Sequence, residues 1–382
     1  MKGEFVIREG RGKKMGKGEM ERLNQTLTSH LTTIHETLQI LDQTPSSSLQ
    51  KLCWDDVIKL AEQLSKNATT AGMLFTGEKI EVKALEENME SYFNVLQGLL
   101  LTAYGSTVGA GPTLSSYIHS SIKQVVDCSF LLWRECVASY DFQGSEQKCS
   151  VPQLTGTVWE ACSAVKKTPA TNIVAVGRAM TKIAVSMKDV LREMKELELC
   201  SSEPTDEPES NALEGTTDFD LEDDDEFGKD LSPEEKKIAQ LAIGIVSEAI
   251  TFIKELIRAI SGLLKKENLK DEHEGIESLE KLLKSCRSIG VQVDELGACL
   301  YPPQEFSTIE KSCKEMSSLV DEINKDLDCL SGSTEAFSQG YKALKNALEV
   351  LKVEVSGSLA IDAAQENSSA PDMVEHMQNL AV

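Results

Sequence analysis

Histidine, cysteine and neighbouring carboxylates are the side chains with which a chain of this make-up would do chemistry, and their spacing gives them little to work with. A carboxylate-bridged metal pair inside a helical bundle needs Glu-x-x-His on facing helices. The five histidines, His30, His35, His119, His273 and His376, instead have Leu27, Thr32, Ser116, Lys270 and Met373 three residues before them. Glu272-His273-Glu274 carries three ligating side chains, but it fits a solvated helix start better than a metal centre. The ten cysteines, at 53, 128, 136, 149, 162, 200, 286, 299, 313 and 329, include no Cys-x-x-Cys. Several fall within helical apolar patterns, where a free thiol behaves as a small hydrophobe. Reduced thiols in an intracellular compartment are therefore expected. No GxxxxGK[ST] loop, GxSxG elbow or HExxH helix occurs. The expectation is a non-catalytic protein with no cofactor and no metal.

Two hydroxyls have the surroundings that protein kinases select. Thr217 is followed by Asp218 and Asp220, an acidic context, and Ser232 by Pro233. Ser232-Pro233-Glu234-Glu235 is also a helix start, with a capping hydroxyl, a proline at the first helical position and a glutamate at the third. Capping by itself accounts for Ser232. A phosphate there would sit at a helix N-terminus, where the helix dipole favours negative charge.

The charge balance narrows the partners. The 382 residues carry 39 Lys and Arg against 62 Asp and Glu, a net charge of −23. Holding a nucleic acid backbone needs cations that replace phosphate counterions, and an anionic membrane face attracts basic segments. Neither direct nucleic acid binding nor membrane binding is expected, which leaves other proteins. The most apolar stretch, Ile238 to Ile260, is interrupted by Gln240, Glu248, Lys254, Glu255 and Arg258, so no segment spans a bilayer. The basic N-terminal residues, Arg8 to Lys17, lead into Glu19, Glu21 and Arg22 rather than an apolar core, unlike a secretory signal.

The elements that would carry these residues are helices. Residues 1–19, where glycines alternate with Lys and Arg, form a disordered basic arm. From Met20 apolar residues recur at intervals of three and four, the period of one helix face. Six helices are expected, from about 20 to 44, 54–75, 82–104, 114–139, 154–165 and 172–199, making an N-terminal bundle over 20–199. Residues 200–231 hold thirteen carboxylates against Lys229 alone, with Pro204 and Pro208; they form a solvated, self-repelling linker. A helix over 232–265 follows, with one apolar stripe through Ile238, Leu241 and Ala242, Ile245, Phe252, Leu256, Ile260 and Leu263. A second runs through Ile243, Val246, Ile250, Ile253 and Ile257. Apolar on two sides, it belongs in the centre of a bundle. Helices at about 274–300, 305–330 and 334–355 complete a C-terminal bundle over 232–355. The small, polar residues 356–382 form a flexible tail. The fold class is all-α, two antiparallel helical bundles joined by an acidic linker. Trp54, Trp133 and Trp159 sit beside apolar residues at helical positions and are expected in the core.

Some short segments resemble a known family. Trp54-Asp-Asp-Val-Ile-Lys-Leu-Ala61 with Asn67-Ala-Thr-Thr70, then Val158-Trp159-Glu-Ala-Cys162, then Leu300-Tyr301-Pro302-Pro303, with the acidic hinge between the last two, resemble the cyclin-D-binding proteins of GCIP type. These are also described as Id-like helix-loop-helix proteins. The resemblance runs from about residue 20 to 355, in order and spacing. It implies two bundles similar in packing to those of talin and vinculin, binding to a D-type cyclin, and reduced phosphorylation of retinoblastoma-type proteins. Negative regulation of cell-cycle progression and of the transcription that those pocket proteins control would follow. It also implies binding to helix-loop-helix transcription factors and residence in cytoplasm and nucleus. DNA-binding helix-loop-helix proteins place a basic helix before the dimerising pair. The residues before 232–265 are acidic, which suits an Id-like role without DNA contact. The two apolar stripes of that helix suit a closed bundle better than an open dimerisation seam.

Overall fold

A computed structural model of the chain describes residues 17–46, 48–75, 81–141, 150–200, 231–263, 273–330 and 332–378. Among the described residues ten helices form and no strand. They are α1 (Lys17–Ile40), α2 (Trp54–Leu74), α3 (Val82–Ser106), α4 (Pro112–Asp141), α5 (Val151–Val165), α6 (Asn172–Cys200), α7 (Pro233–Leu263), α8 (His273–Ala298), α9 (Phe306–Cys329) and α10 (Glu335–Gln378). The expected all-α class and the succession of six and then four helices match this order. Two compact units result, Met1–Ala175 and Val176–Val382.

In the first unit α2 packs between α3 and α5, α5 continues onto α4, and α1 lies across α3 and α4. Leu23 and Ile34 of α1, Leu64 of α2, Leu85, Met89, Leu96 and Leu99 of α3, and Trp133 of α4 are fully buried. Aromatic rings fill the middle. Tyr92 meets Trp133 edge-on, with centroids 5.5 Å apart at 67°, and His30 stacks on Phe93 at 4.9 Å, arrangements that suit the ring quadrupoles. The Tyr92 hydroxyl lies 2.7 Å from Ser129 Oγ, which donates to the Val125 carbonyl at 2.6 Å. Ser129 spends its single proton on Val125, so Tyr92 is the donor to Ser129.

The turn from α3 to α4 shows local and tertiary chemistry combined. Gly109 has φ 72°, a left-handed conformation that glycine adopts without cost. Pro112 then opens α4 at a position where no helical N–H is needed. Asn172, at the start of α6, clamps the turn: its Oδ1 accepts the Gly111 N–H at 2.7 Å and its Nδ2 donates to the Gly109 carbonyl at 2.9 Å.

In the second unit α7 packs on α10, α10 on α9, and α9 on α8, with α7 touching α8 to close the ring. Both apolar stripes of α7 are used. Ile238, Ala242, Ile245, Phe252, Leu256 and Ile260 are buried, and so are Val246, Ile250 and Ile253. Phe252 packs on Phe337 of α10 at 5.1 Å.

The boundaries differ from the sequence expectation at three places. From Val176 onward α6 groups with the second compact unit, whereas the sequence reading ends the N-terminal bundle at 199. Ile183 and Val190 of α6 press on Gly290 and Gly297 of α8, and Gln240 of α7 donates to Glu198 at 2.9 Å. The stretch 356–378, expected as a flexible tail, continues α10 to Gln378; Ala360, Ala363, Ala364, Gln365 and Glu366 are good helix formers and sustain it. At the other end α1 begins at Lys17, inside the expected arm 1–19. The rest of the arm and linker residues 201–230 lie outside the described residues.

Candidate interaction surfaces

The segments singled out in the sequence gather at two places, one in each unit. In the first, Trp54 and Trp159 each bridge the antiparallel helices α2 and α5. Trp54 opens α2 and is buried, and its indole N–H donates to the Val165 carbonyl at the end of α5, at 3.4 Å. Trp159, on α5, donates its indole N–H to Thr69 Oγ1 on α2, at 3.1 Å. Gly72 of α2 lies against Thr155 of α5, where a Cβ would meet Thr155 Oγ1 at 2.7 Å. That close approach draws the two helices together. Trp133 is fully buried, as expected, but Trp159 is 46 % exposed, contrary to the core placement expected for all three tryptophans. Its neighbours on α5 at 156, 160 and 163 are also partly or fully exposed, so it lies on the outward face. Met73, one helical turn beyond Thr69, is exposed as well.

In the second unit the structure brings Ser232 and the Leu300-Tyr301-Pro302-Pro303 segment together. Ser232 caps α7: its Oγ accepts the Glu235 N–H at 3.2 Å, and Glu235 Oε2 accepts the Ser232 N–H at 2.9 Å. This is the reciprocal capping box that the sequence suggested. The same glutamate reaches further. Glu235 Oε1 accepts the Gln304 backbone N–H at 3.1 Å, and the Glu235 carbonyl accepts Gln304 Nε2 at 3.0 Å. Gln304 Nε2 also donates to the Leu300 carbonyl at 3.2 Å. The α8–α9 turn is thereby clasped to the start of α7. Burial opposes ionisation of Glu235, but the hydrogen bonds from Ser232 and Gln304 outweigh it and hold the carboxyl below its ordinary range. Tyr301 is 57 % exposed on this turn, Pro302 is half-buried and Pro303 exposed, with a cis peptide between the two prolines. Thr217 lies outside the described residues. Gln304 was not legible as a functional residue, because a single glutamine after two prolines has no pattern to mark it.

Among the described residues no group of three His, Cys, Asp or Glu side chains is placed to hold a metal ion. Among the described residues eight cysteines carry thiols that are not joined in a disulfide. Burial pushes the thiols of Cys162, Cys286 and Cys313 up to about 12, which suppresses the reactive thiolate. Between α8 and α9 runs an open cleft of ≈ 360 Å³, lined by Ser288, Val291, Gln292, Glu315, Ser318 and Leu319. Among the described residues no helix is long and apolar enough to cross a membrane.

Comparison with known proteins also divides the chain in two, but between residues 199 and 220, so that α6 through residue 199 falls in the N-terminal match. The N-terminal model of the family described as "Grap2 and cyclin-D-interacting" matches residues 56–199, and its C-terminal model matches residues 220–325. A Xenopus laevis protein named "Cyclin-D1-binding protein 1 homolog" is 22 % identical over 277 residues, covering 71 % of this chain and 78 % of that protein. The matched ranges take in Trp159, Ser232 and the Tyr301-Pro302-Pro303 turn. With both parts matched in order over most of its length, the chain belongs to the Grap2 and cyclin-D-interacting protein family.

Proposed function

We propose that this protein is a non-catalytic adaptor that binds a D-type cyclin and thereby restrains cell-cycle progression. The observation that carries this reading is the match of both halves to a cyclin-D-interacting family, alongside a relative named for binding cyclin D1. The all-helical scaffold offers partly exposed aromatic side chains, Trp159 and Tyr301, of the type enriched at protein interfaces. Sequestered cyclin would leave its kinase less active, with lower phosphorylation of retinoblastoma-type proteins and lower transcription downstream. Such a role places the protein in both cytoplasm and nucleus. Capture of helix-loop-helix transcription factors is the runner-up. It would require α7 to separate from its neighbours, because most of both apolar stripes is already buried.

Calorimetry of the purified full chain with a D-type cyclin, alone and with its kinase, tests the proposal. Binding at micromolar affinity or tighter is expected. Absence of heat with both forms, at protein concentrations of tens of micromolar, would overturn it. Trp159→Ala then reads whether the outward face of α5 contributes: a hot-spot tryptophan lost from an interface weakens binding by about 2 kcal/mol or more.

A further inference from the structure

We propose that Ser232 is a phosphoacceptor for a proline-directed kinase, and that its phosphorylation loosens the clasp between the Leu300–Gln304 turn and the start of α7. Ser232 is exposed, precedes the helix, and has Pro233 next to it, also exposed. Among the described residues its hydroxyl engages Glu235 alone, accepting the Glu235 N–H and interacting with the Glu235 carboxylate. Helix first turns fray locally at small free-energy cost, which lets the Ser-Pro pair enter a kinase cleft. In the transfer the bond between the γ-phosphorus of ATP and its bridging oxygen breaks and a bond to Ser232 Oγ forms. ADP leaves, and the hydroxyl proton passes to the kinase's base.

The product changes the clasp in one direction. A phosphoserine carries close to two negative charges at neutral pH and three acceptor oxygens. Those oxygens take over the Glu235 N–H from the hydroxyl, so α7 keeps its cap. The Glu235 carboxylate, which hydrogen-bonds the N–H of that same serine, then faces a dianion within the same turn, and like charges at this range repel. Exposed Glu234 adds to the repulsion. Lys237, one turn further, already pairs with Glu354 of α10. The carboxylate swings away, and Gln304 loses the Oε1 acceptor of its backbone N–H. Gln304 Nε2 still donates to the Glu235 and Leu300 carbonyls, but the buried Gln304 Oε1 already lacks a partner, so the turn is held by fewer bonds once the carboxylate leaves. The consequence is a change in the surface that presents Tyr301.

The test uses the full chain and no cyclin, so its outcome is separate from the cyclin proposal. Wild type and Ser232→Ala are treated with ATP and a mitogen-activated protein kinase as the proline-directed probe. Peptide mass spectrometry then locates phosphate, and hydrogen exchange is followed at single-amide resolution. Expected is phosphate on Ser232 of the wild type, with Gln304 N–H exchange faster by about 5–30-fold, the range that loss of a capping contact produces. Exchange in the first turn of α7 stays unchanged or slows. A Glu235→Gln chain left unphosphorylated gives a charge-neutral reference for a weakened clasp. No phosphate on Ser232, or phosphate with Gln304 exchange unchanged or slower, would overturn the proposal.

Discussion

Val190 on α6 lies against Gly297 on α8: a Cβ at Gly297 would meet Val190 Cγ1 at 2.9 Å and Met194 Cγ at 3.8 Å. Seven residues earlier on both helices, Ile183 and Gly290 repeat the contact at 3.1 Å. The equal step shows that α6 and α8 run parallel at this contact, with branched side chains of one helix seated over glycines of the other. This pairing places α6 with the second unit.

Filling that contact should loosen α6. Gly297→Leu is expected to destabilise the second unit by about 1–3 kcal/mol through overpacking. Gly244, within α7, has open space where a Cβ would sit. There Gly→Ala should stabilise by about 0.5–1 kcal/mol through helix propensity alone. Urea unfolding followed by circular dichroism checks both; a stabilised Gly297→Leu would show that the glycine contact does not hold α6.

The two tryptophans that bridge α2 and α5 should separate in stability as they do in burial. Trp54→Ala removes a buried ring and should cost about 3–5 kcal/mol. Trp159→Ala removes a half-exposed one and should cost clearly less. Thermal unfolding of the two variants side by side measures the difference, and equal losses would contradict the placement of Trp159.

Removing either end of the Tyr92–Ser129 bond should cost unequally. Tyr92→Phe leaves Ser129 still donating to Val125, so a loss of about 1 kcal/mol is expected. Ser129→Ala leaves the donor hydroxyl of Tyr92 buried without its partner, at about 1–3 kcal/mol. Chemical denaturation that ranked Tyr92→Phe as the more damaging would reverse the donor assignment.

Stability should fall in acid partly through Glu235. Its carboxyl is held below the ordinary 4.5 in the folded chain. Its contribution is therefore full above the unfolded value and is lost as pH falls through the folded one. The gap in urea midpoint between wild type and Glu235→Gln should be widest near pH 6 and shrink below about pH 4.5. A gap constant down to pH 3 would mean that the charge of Glu235 carries no stability.

Thiol labelling should follow burial. Cys53 and Cys329 are exposed, whereas Cys162, Cys286 and Cys313 are buried, with thiols pushed up to about 12. Iodoacetamide at pH 8 should modify the first pair in the native protein and the other three only after unfolding, as mapped by peptide mass spectrometry.

Much of this molecule is local and was legible in the residues. Each helix carries its own three-and-four apolar period, and stops such as Pro45, Gly109 with Pro112, and Pro302-Pro303 interrupt it. The helix count, the all-α class and the capping box at Ser232 follow from neighbours within one turn. The double stripe of α7 likewise announced a helix packed on several sides. The tertiary structure alone decided which apolar face meets which. A periodic stripe states that a helix is amphipathic but not its partner; that Ile183 and Val190 of α6 meet glycines of α8 is not written in their spacing. Trp159 fell beside apolar residues, but whether a ring is covered depends on helices far away in sequence, and none covers it fully. Glu235 was visible as half of a cap. That its second carboxylate oxygen takes the N–H of Gln304, 69 residues away, is a matter of chain path, which no spacing along a helix encodes.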